Sequence, residues 1–168
     1  MSEVSDRFKA YLLLVRKRSS LTVEAYLREL ARLEAFLQEQ GTTVWHAGSE
    51  DILGYLVRRR QEGLSRTTMA RLVSSLHSLF KFMKLEGLRY DDPSLLIQTP
   101  KQERNLPGVL NPEEVDKFLQ SIDVDTPNGL RDRALFELIY SCGLRISEAA
   151  ALGFDRLYMK ERLIRVLG

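Results

Sequence analysis

Arg145 is the residue of this chain whose surroundings best suit chemistry on an anion. It follows Gly143, where an apolar helix would end in a left-handed cap, and it precedes a second helix that begins Ile146-Ser147-Glu148. An arginine held between two helices can present a fixed fork of donors to a phosphate. The same residues also fit an exposed Arg145–Glu148 pair at helical spacing, worth about 0.3 kcal/mol. Both interpretations fit these residues taken alone.

A second candidate surface lies on the helix that the sequence predicts over residues 65–86. Its core stripe is apolar, and beside it Thr67, Arg71, Ser74, Ser78 and Lys81 recur at steps of four, three, four and three. That spacing places the five in one line along one face, with no acid between them. Arg and Lys can reach phosphates or guanine, and Ser and Thr can donate to backbone oxygens. The stripe fits contact with DNA and an ordinary basic helix surface equally.

Three further helices are predicted before this one, over residues 2–17, 20–40 and 49–61. Each has apolar residues at helical spacing, and short connections between four such helices predict a compact bundle. The stripe of the first helix is Phe8, Tyr11, Leu12 and Val15. The polar side of the second carries Thr22, Glu24, Arg28 and Arg32. The third is expected to start with a cap at Ser49 and two acids in its first turn.

Composition bounds the possible functions without selecting one. The 168 residues are 44% hydrophobic and 29% charged, which predicts a soluble globular chain in the cytoplasm, with no signal segment or membrane span. Net charge is +2: residues 1–97 hold 15 Lys+Arg against 12 Asp+Glu, and residues 98–168 hold 10 against 11. A mild basic bias permits nucleic-acid binding. No His/Cys cluster or glycine-rich loop indicates a metal or cofactor, and the lone Cys142 is expected to be packed.

A linker separates the helical bundle from a second set of elements. Residues 99–108 are polar, contain two prolines and lack periodicity, which is typical of a domain linker. The domains predicted are therefore 1–97, a linker over 98–110, and 111–168. In the last of these we expect a helix from Asn111 to Ser121, a helix ending at Gly143, the helix after Arg145, and strands over 155–159 and 162–167.

The segment Gly143-Leu144-Arg145-Ile146-Ser147-Glu148 resembles the region around the first catalytic arginine of tyrosine site-specific recombinases, the Xer-type integrase family. The turn Asp91-Asp92-Pro93-Ser94 and the linker after it are also similar to the family's arrangement. The resemblance implies a mainly α chain. It would hold a four-helix SAM-like core-binding bundle, a linker, and the helical and β-hairpin start of an α+β catalytic domain.

The resemblance also assigns roles to residues. Arg145 would bind the scissile phosphate, and Glu148 would orient it. The second and fourth helices of the family's bundle lie against double-stranded DNA at an inverted-repeat recombination site, where full-length members form tetramers on two DNA sites without a cofactor. The DNA contacts implied here are Thr22, Arg28, Arg66, Thr67, Arg71, Ser74, Ser78 and Lys81.

The family's remaining catalytic groups have no counterpart in this sequence. They are a lysine in a β-turn, a His-x-x-Arg motif, a further His or Trp, and the tyrosine that forms a 3′-phosphotyrosyl link. His46 and His77 precede the second domain, and Tyr140 and Tyr158 lie upstream of the missing motifs and are expected to pack. The chain is therefore expected to be truncated within the catalytic domain, and to bind DNA without cutting it.

Two other functions remain open at this point. The chain fits a stand-alone DNA-binding regulator or decoy, and it fits a helical protein-interaction module in which the arginine motif is incidental. Within the recombinase interpretation, chromosome-dimer resolution and phage or transposon integration fit equally.

Overall fold

The computed structural model describes residues 2–100 and 108–166, and these are mainly α-helical, as predicted. The chain divides into two compact units, Met1–Arg104 and Asn105–Gly168. Most of the linker expected over 98–110 falls on residues 101–107, which lie outside the described residues. The domain limits of 1–97 and 111–168 stay predictions.

The first unit is the expected helical bundle. Its helices are α1 (Glu3–Ala10), which continues as a π-helical turn (Tyr11–Val15), α2 (Ser20–Glu39), α3 (Ser49–Gln61) and α4 (Arg66–Leu85). The hydroxyls of Ser19 and Ser65 cap α2 and α4 by accepting from the backbone N–H three residues later. Gly41 and Gly87 follow the same two helices with positive φ, so both predicted helix ends are confirmed.

α4 supplies the largest share of the core. All seven residues of its predicted apolar stripe are buried: Met69, Leu72, Val73, Leu76, Leu79, Phe80 and Met83. Phe82 on the same helix contacts the rings of Phe8 and Tyr11, with 5.4 and 5.1 Å between ring centroids. α4 also packs against α2 and α3. Because this inward face is held on three sides, the direction of the outward face is fixed as well.

Two details of the first unit differ from the sequence prediction. Val15 is exposed, because the chain widens into the π-helical turn, in which the Arg16 N–H donates to the Tyr11 carbonyl. A turn with more residues per rotation carries Val15 off the stripe that buries Phe8 and Leu12. The cap of α3 is Gly48 rather than Ser49; its N–H donates to Asp51 at 2.8 Å.

A buried arginine ties the end of the bundle to the loop between α2 and α3. The Arg89 guanidinium donates to the carbonyls of Val44 (2.7 Å) and Ala47 (2.9 Å) and, through two further bonds, to the Asp91 carboxylate. Its Cζ also lies 5.6 Å from the centre of the Phe80 ring. Four hydrogen bonds satisfy a group that is otherwise costly to bury. The bonds to Arg89 lower the pKa of Asp91, so the carboxylate stays charged.

The second unit contains the predicted helices and hairpin. Asn111 and Glu114 form a reciprocal cap before α5, and Gly143, with φ 64°, ends α6. Phe118 packs edge to face on Phe136, with 5.0 Å between centroids, and joins α5 to α6. The elements are α5 (Pro112–Gln120), α6 (Pro127–Cys142), α7 (Ile146–Ala150), a 3₁₀ turn (Phe154–Arg156), β1 (Leu157–Tyr158) and β2 (Leu163–Ile164).

The hairpin and the surface of α6 depart from expectation. The antiparallel strands have two residues each, with Leu157 opposite Ile164, because the chain on the β1 side begins as a 3₁₀ turn. α6 has no buried residue. Consequently Cys142 and Tyr140 are exposed rather than packed, and Tyr158 on β1 is exposed too. None of the helices in the described part of the chain has the length and apolar character that a membrane span needs.

Replacing Arg89 with Met should lower the free energy of unfolding of the first unit by about 2–4 kcal/mol, because two buried carbonyl oxygens lose their donor. Urea titration followed by the fluorescence of Trp45, the single tryptophan, reports on this unit. Arg7→Met is the matched control. Arg7 pairs with Glu3 and Glu86 at the surface, so its loss should cost less than about 1 kcal/mol. Equal midpoints for the two variants would contradict the role given to Arg89.

Candidate nucleic-acid interface and phosphate site

A groove of about 800 Å³ runs between α2 and α4. It brings together residues that the sequence assigned to DNA contact on two separate helices: Thr22 and Arg28 from α2, Arg71 and Ser74 from α4. Hydroxyl and guanidinium groups therefore face one opening. Thr99 and Pro100, from the chain that follows the bundle, also line it. The polar residues of the lining are Thr22, Tyr26, Arg28, Glu29, Arg32, Thr68, Arg71, Ser74, Ser75 and Thr99.

The other predicted contacts on α4 lie outside the lining of the groove. Arg66, Thr67 and Lys81 are exposed on the same helix, and Ser78 is half-buried. The Ser74 hydroxyl donates to the Ala70 carbonyl at 2.9 Å, so its proton is engaged within the helix rather than free for a backbone oxygen. The residues of the predicted stripe therefore differ in exposure and in the hydrogen bonds they already make, and their contact with DNA stays a prediction.

Two charged residues of the groove, Arg32 and Glu29, were not assigned a role by the sequence. Arg32 lies one turn after Arg28 on the predicted polar side of α2, and that spacing of four was the signal that could have selected it. Glu29 gave no such signal. Its partners Tyr55 and Arg59 are on α3, far along the chain.

Arg145 is the cap residue before α7, and its side chain pairs with Glu148. The Arg145 backbone N–H donates to Glu148 Oε2 at 2.8 Å, and its Nη1 donates to Oε1 at 2.6 Å. The Glu148 side chain is 17% exposed and that of Arg145 is 81% exposed. The backbone bond, and then the guanidinium bond, lower the pKa of Glu148. The carboxylate thus stays ionised and holds one edge of the guanidinium, while the rest of the fork faces solvent.

Two more arginines lie near this carboxylate. A cleft of about 190 Å³ is lined by Glu148, Arg156 and Arg165, and the Arg165 N–H donates to the Arg156 carbonyl. The hairpin therefore carries positive charge to the side of α7 that holds Glu148. Among residues 2–100 and 108–166, no group of three His, Cys, Asp or Glu is arranged to hold a metal ion.

Comparison with known proteins gives two matches to family models, one for each part of the chain. Residues 5–87 match the family described as phage integrase, N-terminal SAM-like domain. Residues 108–168 match the phage integrase family. Residues 88–107, between the two matches, include positions 98–107 of the predicted linker.

Similar whole proteins include tyrosine recombinases named XerD. The tyrosine recombinase XerD of Listeria monocytogenes serotype 4b (strain F2365) is 36% identical over 170 residues, which cover 100% of this chain and 57% of that protein. XerD of Neisseria meningitidis serogroup B (strain ATCC BAA-335 / MC58) is 34% identical over 163 residues, 97% of this chain and 55% of that protein. The chain thus spans little more than half the length of these relatives.

A solved structure supports the fold. The superposition with the integrase from mycobacterium phage Brujita covers 98% of this chain and 53% of the integrase chain, with a TM-score of 0.53 and 24% sequence identity. At that identity the likeness is one of fold.

The Glu148 carboxylate should titrate below the ordinary glutamate pKa of about 4.3. Because the pKa of Glu148 is lower in the folded chain than in the unfolded chain, its ionised form stabilises the fold. This stabilisation is complete at a pH above the pKa of the unfolded chain, and it is lost as the pH falls through the pKa of the folded chain. In Arg145→Ala the guanidinium bond is gone and the backbone bond remains, so the pKa should rise part of the way. Carbon-detected NMR titration of the Glu148 side chain measures its pKa in the native chain and in Arg145→Ala. Arg131→Ala, which removes an arginine paired with Asp132, should leave the Glu148 titration unchanged. Identical Glu148 midpoints in the native chain and Arg145→Ala would contradict the pairing.

Proposed function

Because this chain belongs to the family of tyrosine site-specific recombinases, we propose that its first unit binds double-stranded DNA along the groove between α2 and α4. The observation that carries the proposal is the convergence of Arg28, Arg32 and Arg71 on one opening, from two helices whose directions are set by the core. Phosphate contacts supply most of the affinity of such an interface.

The chemistry of the groove suits a duplex backbone. Three guanidinium groups can pair with phosphate oxygens through two parallel bonds each, and the small hydroxyl side chains between them allow close approach. Glu29 is the one acid among the groove-lining residues that the structure describes, and it is already paired with cations. Arg66, Thr67, Ser78 and Lys81 extend the same face along α4 and complete the proposed contact set.

The proposed role of the second unit is to hold the scissile phosphate. Arg145 offers the exposed part of its guanidinium to the anion, and Glu148 fixes the plane of that group by binding its other edge. A donor held in place before the reaction stabilises the charge that develops on a phosphate in the transition state. In the family's reaction, a tyrosine attacks this phosphate and forms a 3′-phosphotyrosyl link.

The finer parts of the proposal concern context. They are a cytoplasmic location, an inverted-repeat recombination site as the target, and tetramers on two DNA sites in the full-length family. They draw their support from the family to which the chain belongs.

Arg71→Ala and Lys81→Ala should each weaken binding to a duplex of about thirty base pairs three- to tenfold and make the slope of log K against log salt shallower by about 0.9, because each removes one phosphate contact. Fluorescence anisotropy at several salt concentrations measures both quantities. Lys9→Ala removes an exposed cation from α1, outside the proposed face, and should change affinity by less than about twofold. Salt-independent binding by the native chain would overturn the proposed interface.

The 168-residue chain should bind a nicked suicide substrate without forming a covalent adduct. Its two tyrosines in the second unit, Tyr140 and Tyr158, match no nucleophile of the family. Arg145 can hold a phosphate, but without a nucleophile that phosphate is not attacked. Denaturing gel electrophoresis with labelled DNA detects a protein–DNA link. An adduct that disappears in Tyr140→Phe or Tyr158→Phe would refute this.

A further inference from the structure

Glu29 stands between the groove and α3, and its two oxygens have different partners. Oε1 accepts a hydrogen bond from the Tyr55 hydroxyl, and Oε2 accepts one from Arg32 Nη1 at 3.4 Å. The Glu29 side chain is only 13% exposed although it lines the groove. One carboxylate therefore connects a buried residue of α3 to an arginine at the groove.

The α3 side of this connection is firmly held. Tyr55 is 1% exposed, and burial, followed by the bond to Glu29, raises the pKa of its hydroxyl well above the usual range, so the group stays a donor. Arg59 Nε lies 3.3 Å from Glu29 Oε1. That nitrogen is buried and makes no hydrogen bond, so its attraction to Glu29 is electrostatic. Arg59 also pairs with Glu62.

Arg32 is held at one edge and open at the other. Its side chain is 52% exposed, and it lines both the groove and an adjoining cleft of about 390 Å³. The bond from Nη1 to Glu29 uses one of its five N–H donors. Arg28 lies one turn earlier on the same groove and has no hydrogen bond or ion pair within the part of the chain that the structure describes. The two arginines therefore line the same groove one turn apart and differ in anchoring.

From this arrangement we propose that Glu29, itself fixed by Tyr55 and Arg59, is a positioning residue that holds the Arg32 guanidinium in the direction in which it contacts a phosphate of the groove. The inference rests on the proposed function, since it assumes that DNA occupies the groove. The Arg59 charge offsets that of Glu29, which leaves the Arg32 charge for a phosphate. A guanidinium whose direction is already set loses less side-chain entropy when a phosphate binds.

Four single variants separate charge from positioning. Arg32→Ala should weaken duplex binding about tenfold and make the salt slope shallower by about 0.9, as for one lost phosphate contact. Arg32→Lys keeps the charge but cannot bind Glu29 and a phosphate through one planar fork. Its affinity for the duplex should fall about threefold, and the slope of log K against log salt should not change. Arg28→Lys, the matched control, should stay within about twofold, because that side chain has no anchor to lose. Tyr55→Phe removes only the anchoring hydroxyl and should weaken binding about threefold.

Double variants test whether Glu29 and Tyr55 act through Arg32. In the Arg32→Ala background, Tyr55→Phe should no longer change affinity. Glu29→Gln provides a second measurement if Tyr55→Phe fails to fold. It removes both an acid that repels phosphate and the anchor of Arg32, so its gain in affinity should be larger in the Arg32→Ala background than in the native one. Thermal unfolding of each variant checks the fold.

The outcomes distinguish a failure of the proposed function from a failure of the roles given to Arg32 and Glu29. If the native chain shows no salt-dependent binding, the proposed function fails. If the native chain binds and Arg32→Ala binds equally well, the function stands and Arg32 is not a phosphate contact. If Arg32→Ala weakens binding, but Tyr55→Phe and Glu29→Gln each have equal effects in both backgrounds, Arg32 contacts phosphate without being positioned by Glu29.

Discussion

The burial of the inward face of α4 is the constraint on which the first unit depends. Its apolar residues are held by α1, α2 and α3, and the aromatic contacts of Phe82 with Phe8 and Tyr11 fix the helix about its own axis. A helix locked in this way cannot turn a different side outward. The same packing that buries the apolar stripe therefore directs Arg71 and Ser74 to the groove shared with α2.

Much of this could be read from the sequence because it is encoded locally. The signals that define the helices each lie within one or two helical turns. They are the capping serines at 19 and 65, the helix-ending glycines at 41, 87 and 143, and the period of apolar residues on α4. The π-helical turn has no such signature, which is why Val15 was placed in the core. The proposed role of Glu29 could not be predicted from the sequence. Its position on α2 is the same as that of an ordinary exposed glutamate, and its partners Tyr55 and Arg59 belong to another helix, so only the fold brings them together.

The second unit shows helix capping and proposed anion binding resting on the same pair of residues. Glu148 caps α7 through the Arg145 backbone N–H and simultaneously binds the Arg145 guanidinium. The two interpretations that the sequence left open, a helix-end pair and a phosphate-binding arginine, are therefore compatible in one geometry. The α6–α7 break at Gly143 was predictable because a left-handed residue needs glycine. The exposure of α6 was not, because its apolar residues gave no sign of lacking a partner.

Arg89 has a mechanical consequence for the chain that follows it. Two of its four hydrogen bonds tie the segment after α4 to the carbonyls of Val44 and Ala47, and His77 Nε2 lies 2.9 Å from the Ser94 carbonyl a few residues on. A pull applied beyond residue 97 would load the contact at Ser94 first and the bonds of Arg89 next, before it reached the last turn of α4. Peeling the helix from its end would therefore require these contacts to break in turn. The end of α4 is thus protected from tension on the chain that follows the bundle.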